Sequence, residues 1–362
     1  MELAQAFLTN HQAPAERLSS EEGLRLLREA PLLELGERAQ ATRSARIPGR
    51  RVTFVVDANP NYTNVCITDC VFCAFYRKPG DREAYTLTVD QVMAKVERAM
   101  QRGATTVLLQ GGHNPAIPFE YYLSLVRETR RRFPSVTPHF FTASEVRQMA
   151  GVSGLDVRGV LQALKEAGQR TLPGGGAEIL TDAIRRRLAP KKGGAESWLE
   201  VHREAHRLGF RSTATMMYGH IEEDEDIIAH LDAIRALQDE TGGFTAFVPW
   251  SFKPGHTPLQ RRIRYHVGPS RYLRILALSR IYLDNFDHIQ ASWFSEGKKA
   301  GQVALHFGAD DYGGTLFEEN VHKAADHVNE TTVEEVVLMI QEAGFQPAQR
   351  TTLYEIVRTF AH

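Results

Sequence analysis

A chain of 362 residues with 43% apolar and 24% charged residues has the material for a sizeable core and is too rich in it for a disordered chain. Its 43 basic and 44 acidic residues leave a formal net charge of -1, so no overall field is available to hold a polyanion and nucleic acid is not an expected partner. No run approaches the roughly 20 apolar residues of a spanning helix, and Met1 to Asn10 lacks a basic region followed by an apolar run, so no membrane partner is expected and the predicted location is cytoplasmic.

Residues 1–50 read as an N-terminal helical extension: Ser19-Ser20-Glu21-Glu22 has the form of an N-cap with acidic first-turn residues, ahead of Leu24, Leu26 and Leu27 on a helical period. From Val52 onward short β-rich runs alternate with longer amphipathic stretches. Strands are expected over residues 52–56, 105–110, 137–142, 170–172, 212–218, 244–249 and 288–293, with a weak eighth near 315–317. Helices are expected over 89–102, 119–133, 157–167, 196–208, 224–241 and 270–284. This α/β alternation predicts a (β/α)8 TIM-type barrel over residues 51–327, with a partial barrel of six units left open. Residues 328–362 read as a helix, a turn and a short apolar segment through Leu353, Tyr354 and Ile356, a C-terminal cap on the barrel. The basic runs Arg130-Arg131-Arg132 and Arg185-Arg186-Arg187 fall in helix-like segments and read as solvated faces.

All three cysteines, Cys66, Cys70 and Cys73, lie within eight residues in a C-x3-C-x2-C pattern after a β-like run. An odd number at that spacing argues for a metal site over disulfides. Thiolates are soft anionic ligands suited to iron-sulfur clusters, and three of them leave one iron of a four-iron cluster open to the amino and carboxylate groups of S-adenosylmethionine (SAM). Structural zinc with a fourth His ligand and inert buried cysteines are the alternatives; zinc sites usually pair their cysteines as C-x2-C groups.

Further candidates sit where strands end, which is where barrels of this kind build their active sites. Gly111 and Gly112, in Gln110-Gly111-Gly112-His113-Asn114-Pro115, let a backbone approach a ligand closely; a plain turn explains the pair equally well. Leu172-Pro173-Gly174-Gly175-Gly176-Ala177-Glu178 is expected to open a helix whose amides face the barrel mouth, and Glu178 could accept a ribose hydroxyl or simply stabilise the helix dipole. Tyr218 and His220 end the fifth strand and Pro249 the sixth, where flat apolar surface would suit adenine or an aromatic ring. Strand residues alternate in direction, so only those near the loops qualify.

The cysteine spacing, with aromatic Phe72 directly before Cys73, resembles the defining motif of the radical SAM superfamily. The resemblance implies a 4Fe-4S cluster on Cys66, Cys70 and Cys73, SAM as cofactor, Phe72 near its adenine, and Gly111-Gly112 at its methionyl amine. His113 stands at a position often acidic in relatives, leaving that contact to backbone carbonyls. Longer elements, Asn61-Tyr62-Thr63-Asn64-Val65-Cys66, the LPGGGAE run, QDETGGFTAF, Gln290-Ala291-Ser292-Trp293 and Glu318-Glu319-Asn320-Val321, resemble the cyclic dehypoxanthinyl futalosine synthases of the futalosine route to menaquinone. The aminofutalosine synthases of that route share PGGGAE and DETGGF. Residues 140–145 (FFTASE) depart from an expected Ser-Pro element, and Gly193-Gly194 replaces a more polar stretch.

The resemblance implies cyclisation of dehypoxanthine futalosine: a deoxyadenosyl radical abstracts the ribose 4' hydrogen, and the carbon radical attacks the ring of the benzoate portion. A flavodoxin or ferredoxin would supply the electron. His113, His220 and Glu178 are the catalytic candidates, as acceptors of the final proton, and Ser292 and Trp293 are expected on the substrate side. An iron-sulfur electron carrier is the non-enzymatic alternative; it would not need the glycine-rich strand ends.

Overall fold

The computed structural model describes residues 17–263 and 267–361, so the part of the N-terminal extension before Arg17 lies outside it. Its strands are β1 Arg51–Val55, β2 Asp57–Ala58, β3 Thr106–Leu109, β4 Thr137–Phe140, β5 Thr171–Leu172, β6 Arg211–Tyr218, β7 Phe244–Ser251, β8 His288–Ile289, β9 Asp311–Gly314, β10 Gln346–Arg350 and β11 Ile356–Thr359. Three sheets are bonded in the orders β11-β10-β1-β9, β2-β3-β4 and β5-β6-β7-β8.

Together they close a ring. β1 and β2 are one strand broken at Val56; β2 pairs parallel with β3, and β1 pairs parallel with β9, which is bridged to β8 through Gln290 and Asp311. Between β8 and β9 that single bridge stands in for a ladder, and between β4 and β5 there is neither. There Thr171 Oγ1 donates to Pro138 O at 3.3 Å and Gln169 Nε2 to Phe140 O at 2.8 Å. Eight parallel strand positions result, in keeping with the expected TIM-type barrel, though the sheet is interrupted into three parts. Parallel strands need crossovers, supplied by helices such as Val89–Gln101, Phe119–Arg132, Val157–Ala167, Ala195–Arg207, Asp224–Thr241 and Pro269–Tyr282.

Local chemistry places these helices. Ser19, Thr88, Thr142 and Thr332 each form a capping box with the Glu or Gln three residues on, satisfying amides that the helix itself leaves unpaired. Ser20–Glu29 and Leu32–Arg46 form the N-terminal extension and pack on Asp224–Thr241 and Pro269–Tyr282. Gly23 lies so close to the Tyr282 ring that a Cβ would sit 2.5 Å from it.

Several expectations are corrected. The strand expected over 288–293 ends at Ile289, because the Ser292 amide bonds the Tyr272 hydroxyl and Trp293 begins a short helix, Trp293–Glu296. The weak eighth strand lies four residues earlier, as β9. The helix Ala143–Ser153, not expected from the sequence, follows β4. The chain after Val328 contributes a helix, Val333–Glu342, but then adds β10 parallel to β1 and β11 antiparallel to β10. Arg185 is buried, unlike exposed Arg186 and Arg187, so that basic run is not a solvated face throughout. Among the described residues no helix is long and apolar enough to cross a membrane.

Candidate functional site

The loop that carries the cysteines leaves β2 and is held by its own backbone. Cys66 N–H donates to Arg77 O at 2.9 Å, Arg77 N–H to Asn64 O at 2.8 Å, and Cys73 N–H to Cys70 O at 3.1 Å. Cys66 and Cys70 are buried and Cys73 half-buried. Thr68 Oγ1 lies 2.9 Å from the Cys66 sulfur and 3.5 Å from that of Cys70, so two thiols face one point. Burial pushes the Cys70 thiol up and the Cys73 thiol up to about 11, while Lys192 pulls the other way.

Lys192 decides the electrostatics here. Its ammonium is 3.2 Å from the Glu178 carboxylate, with both side chains nearly buried, and 5.3 Å from the Phe72 ring centre. Burial works against its charge, but Cys70 and Glu178 outweigh it and hold the ammonium above its usual range. Neighbouring Lys191 reaches the Ile67 carbonyl and Asp69, so consecutive lysines brace the cysteine loop from outside and from within.

Gly112 fits the loop by having no side chain: a Cβ would lie 2.1 Å from Val65 O and 2.9 Å from Cys66 Cβ. A Cβ on Gly111 would strike the Tyr62 ring at 2.4 Å. The Gly111 amide donates to Glu145 at 2.9 Å, and the same carboxylate accepts the Tyr62 hydroxyl at 2.7 Å and the Thr142 amide at 2.7 Å. Glu145 is thus the residue that fixes the glycine turn, and the FFTASE segment holds it there as part of a capping box. Its S/T-x-x-E pattern was the signal that could have found it. His113 is buried, with Nε2 3.1 Å from Ser144 Oγ; burial first, then Lys192, lowers it to about 3, so its imidazole is neutral.

The Pro173–Glu178 stretch is a loop and does not open a helix. Gly176 and Glu178 have positive φ (85° and 48°), which turns the chain before the helix Asp182–Leu188 begins. Buried Arg185 donates to the carbonyls of Gly176, Ala177 and Gly193, and the Gly174 amide is taken by Thr213 Oγ1 at 2.9 Å. The expected anion site on a helix N-terminus is therefore not formed.

Below these loops the barrel interior is a cavity. Alternation along the strands decides what faces it: Val55, Asp57 and Asn59 from the first strand, Thr213 and Thr215 from β6, Val248 and Trp250 from β7. Gln110, Gly174 and Gly175 bring the two glycine motifs to its upper edge, where Trp250, Phe294 and His322 form an aromatic wall. The His322 ring stacks on Phe294 at 5.4 Å and lies 5.3 Å from Trp250.

The structure thus gathers Cys66, Cys70, Cys73, Phe72, Gly111, Gly112, His113 and Glu178 around one end of the barrel. Other predicted residues lie elsewhere. Tyr218 and Pro249 do not line the cavity: they fall between the inward-facing residues of their strands, and Tyr218 reaches Glu296 with its hydroxyl. His220 folds back on its own strand end, with Nε2 2.9 Å from Met217 O and Nδ1 2.9 Å from Glu222, in a separate cleft with Arg187 and Arg262. Ser292 and Trp293 are core: Ser292 donates to Pro249 O and Trp293 Nε1 to Gly314 O, leaving Gln290 and Phe294 to face the cavity. Asp57, Glu319 and Arg350, which sequence reasoning did not select, do line it.

Among the described residues the three thiols do not converge on a point that a single ion would fill, yet one loop carries all three, a buried cation offsets their charge and glycine backbone presses against the first, a donor set that fits the wider span of an iron-sulfur cluster with one open iron. The chain belongs to the radical SAM superfamily. Its residues 60–234 match the family model of that name, and residues 241–362 match the model described as the CofH/MqnC C-terminal region. It is 40% identical to cyclic dehypoxanthine futalosine synthase of Halalkalibacterium halodurans over 95% of this chain and 93% of that one. It is 42% identical to aminodeoxyfutalosine synthase of Thermus thermophilus over 95% and 94%, respectively. To a 5-amino-6-(D-ribitylamino)uracil–L-tyrosine 4-hydroxyphenyl transferase of Methanopyrus kandleri it is 44% identical over 87% of each. The fold is that of methylornithine synthase PylB (TM-score 0.73, 17% identity, 92% of this chain and 95% of that one) and of the hydrogenase maturase HydG from Carboxydothermus hydrogenoformans (TM-score 0.72, 17%, 94% and 78%). The protein is a radical SAM enzyme that takes a 4Fe-4S cluster and SAM.

Proposed function

We propose that this enzyme cyclises dehypoxanthine futalosine, and that Cys66, Cys70 and Cys73 hold its cluster. The observation that carries the reading is the two-sided lining of the cavity: an aromatic wall of Trp250, Phe294 and His322 above, polar groups below. That suits one substrate with an aromatic ring at one end and a sugar at the other. The full-length likeness to cyclic dehypoxanthine futalosine synthases supports it. When bound, the cluster and SAM supply methionine and a 5'-deoxyadenosyl radical as the one-electron initiator.

The chain's own task is then to hold and to exclude. Gly111, Gly112, Phe72 and the Glu178–Lys192 pair surround the cofactor side, each fixed by the contacts above. Apolar Leu108, Val248, Leu316 and Val321 line the cavity, and a substrate packed against them would displace water and hold its two ends in contact through the reaction. His220, in its separate cleft, does not touch the substrate in this reading.

A second reading, aminodeoxyfutalosine synthesis, is favoured by the 42% identity to the Thermus thermophilus enzyme. An anaerobic assay of reconstituted enzyme with SAM and a reductant separates the two. Cyclase activity gives a product of dehypoxanthine futalosine mass less two hydrogens, with 5'-deoxyadenosine formed alongside; SAM consumption without that product, but with aminofutalosine formed from its own precursor, would move the assignment to the second reading.

A further inference from the structure

The floor of the barrel cavity differs from its wall. Asp57 faces it, with Asn59 and His139 one strand layer above at the level of Leu108, each more than nine-tenths buried, and Arg350, Thr352 and Tyr354 at and after the end of β10 complete it. One Asp57 oxygen accepts the Leu316 amide at 2.7 Å and the Thr315 hydroxyl lies beside the carboxylate, which keeps acceptor sites open toward the cavity. Asn59 Oδ1 and His139 Nδ1 are buried without a partner. Native interiors leave few polar atoms unpaired, and a cluster of them beside a cavity marks a missing partner.

Charge identifies what that partner is. The floor's cation, Arg350, is already engaged by both oxygens of Asp311, which also accepts the Thr53 hydroxyl at 2.6 Å. Asp57 is left over as a second carboxylate. A carboxylate or phosphate entering the floor would meet Asp57 with no uncommitted cation among the described lining residues, and a buried unpaired anion is strongly disfavoured. A hydroxyl donates and accepts at once and suits all three open groups. Asp57 and Asn59 project from the same face of the first strand two residues apart, roughly 7 Å along it, a span that adjacent hydroxyls on one ring can bridge.

We propose that the barrel floor is a subsite for the vicinal hydroxyls of a sugar, with Asp57 and Asn59 accepting from them and His139 completing the set. The hydroxyl edge of the sugar then faces the floor, with its 4' carbon and the aryl group toward the cofactor end. The identity of the sugar rests on the cyclase reading; the preference for hydroxyls over an anion does not.

Calorimetric titration of the anaerobic holoenzyme tests this with three probes: methyl β-D-ribofuranoside, benzoate and dehypoxanthine futalosine. Asp57→Asn and Asn59→Ala are compared with the parent after thermal unfolding shows that each is folded; either alone suffices. The proposal expects Asp57→Asn to weaken the riboside and the full substrate about 10-fold or more, the range for a hydrogen bond to a charged group, and Asn59→Ala to weaken them about 3- to 10-fold, the range for a neutral one, with benzoate unchanged. Tighter binding of dehypoxanthine futalosine or benzoate to Asp57→Asn would overturn it, since that is what removing a negative charge beside a bound carboxylate does. Unchanged affinity in both variants would also overturn it and leave a floor filled by water. If the parent binds the riboside through Asp57 but does not convert dehypoxanthine futalosine, the subsite stands and the cyclase reading falls.

Discussion

Lys192 shows how a single side chain couples the cysteine loop to the rest of the mouth: it touches Glu178, lies over Phe72 and is held charged by Cys70 and Glu178 against its own burial. Elsewhere the chain buries titratable groups of the opposite kind, held neutral. His113, His139, His230 and His322 are lowered by burial to about 3 and His206 to about 4, and His202 is also well below the ordinary value. A histidine whose folded value is depressed contributes stability that is full above its unfolded value, near 6.5, and is lost as pH falls toward the folded one. Asp57, raised by burial to about 6, runs the other way, as do Glu145 and Glu319, also raised by burial, but these are three groups against six. Unfolding free energy from urea titrations is therefore expected to fall between pH 6.5 and 5 by more than about 1.4 kcal/mol per pH unit, the value for one proton; a flat profile would mean that these histidines are not buried neutral. At this scale the sequence was legible where chemistry is local. The three cysteines and the paired glycines announce themselves by type and spacing. Tyr218, Pro249, Ser292 and Trp293 did not, because whether a strand-end residue faces the cavity depends on register and on where the strand stops, neither of which composition records.

Among the elements, β10 has the largest consequence for the site. It pairs with β1 in register, Arg51 with Gln346 through Val55 with Arg350, and so delivers Arg350 to the barrel floor. There the guanidinium grips Asp311 and lies 3.9 Å from the Tyr354 ring centre. Replacing it with Met leaves Asp311 buried and unpaired, which should cost about 3–5 kcal/mol in denaturant unfolding. A loss below about 1 kcal/mol, the range of an exposed ion pair, would show that the floor is wetter than its burial implies. Helices were legible because period and caps agree: Val157–Ala167 and Asp224–Thr241 lie where the apolar repeat puts them. Gln346-Pro347-Ala348-Gln349-Arg350 carries no β-branched or aromatic residue, so nothing local marks it as a strand. It forms because β1 offers an edge nearly 300 residues earlier in the chain, and a partner that distant cannot be read from either segment alone.

The whole molecule places its chemistry by layering. Glycine loops and thiols close one end of the barrel, aromatic side chains line the upper cavity, and a polar floor completed by the C-terminal strand closes the other. That arrangement accounts for why a chain with so little net charge can still handle charged and polar ligands: its charges are paired and local, as in Glu178–Lys192 and Asp311–Arg350. The alternation of β and α segments made the barrel class legible from the sequence, whereas the cavity depends on how eight strands close, as β9 and β1 do here. Relatives of more than one activity share this frame, so the central claim rests on which hydrogen is removed first. The direct measurement is single-turnover reaction of the holoenzyme with dehypoxanthine futalosine deuterated at the ribose 4' carbon. The account predicts one deuterium in the 5'-deoxyadenosine recovered and none in the cyclic product; unlabelled 5'-deoxyadenosine, or label retained in the product, would contradict it.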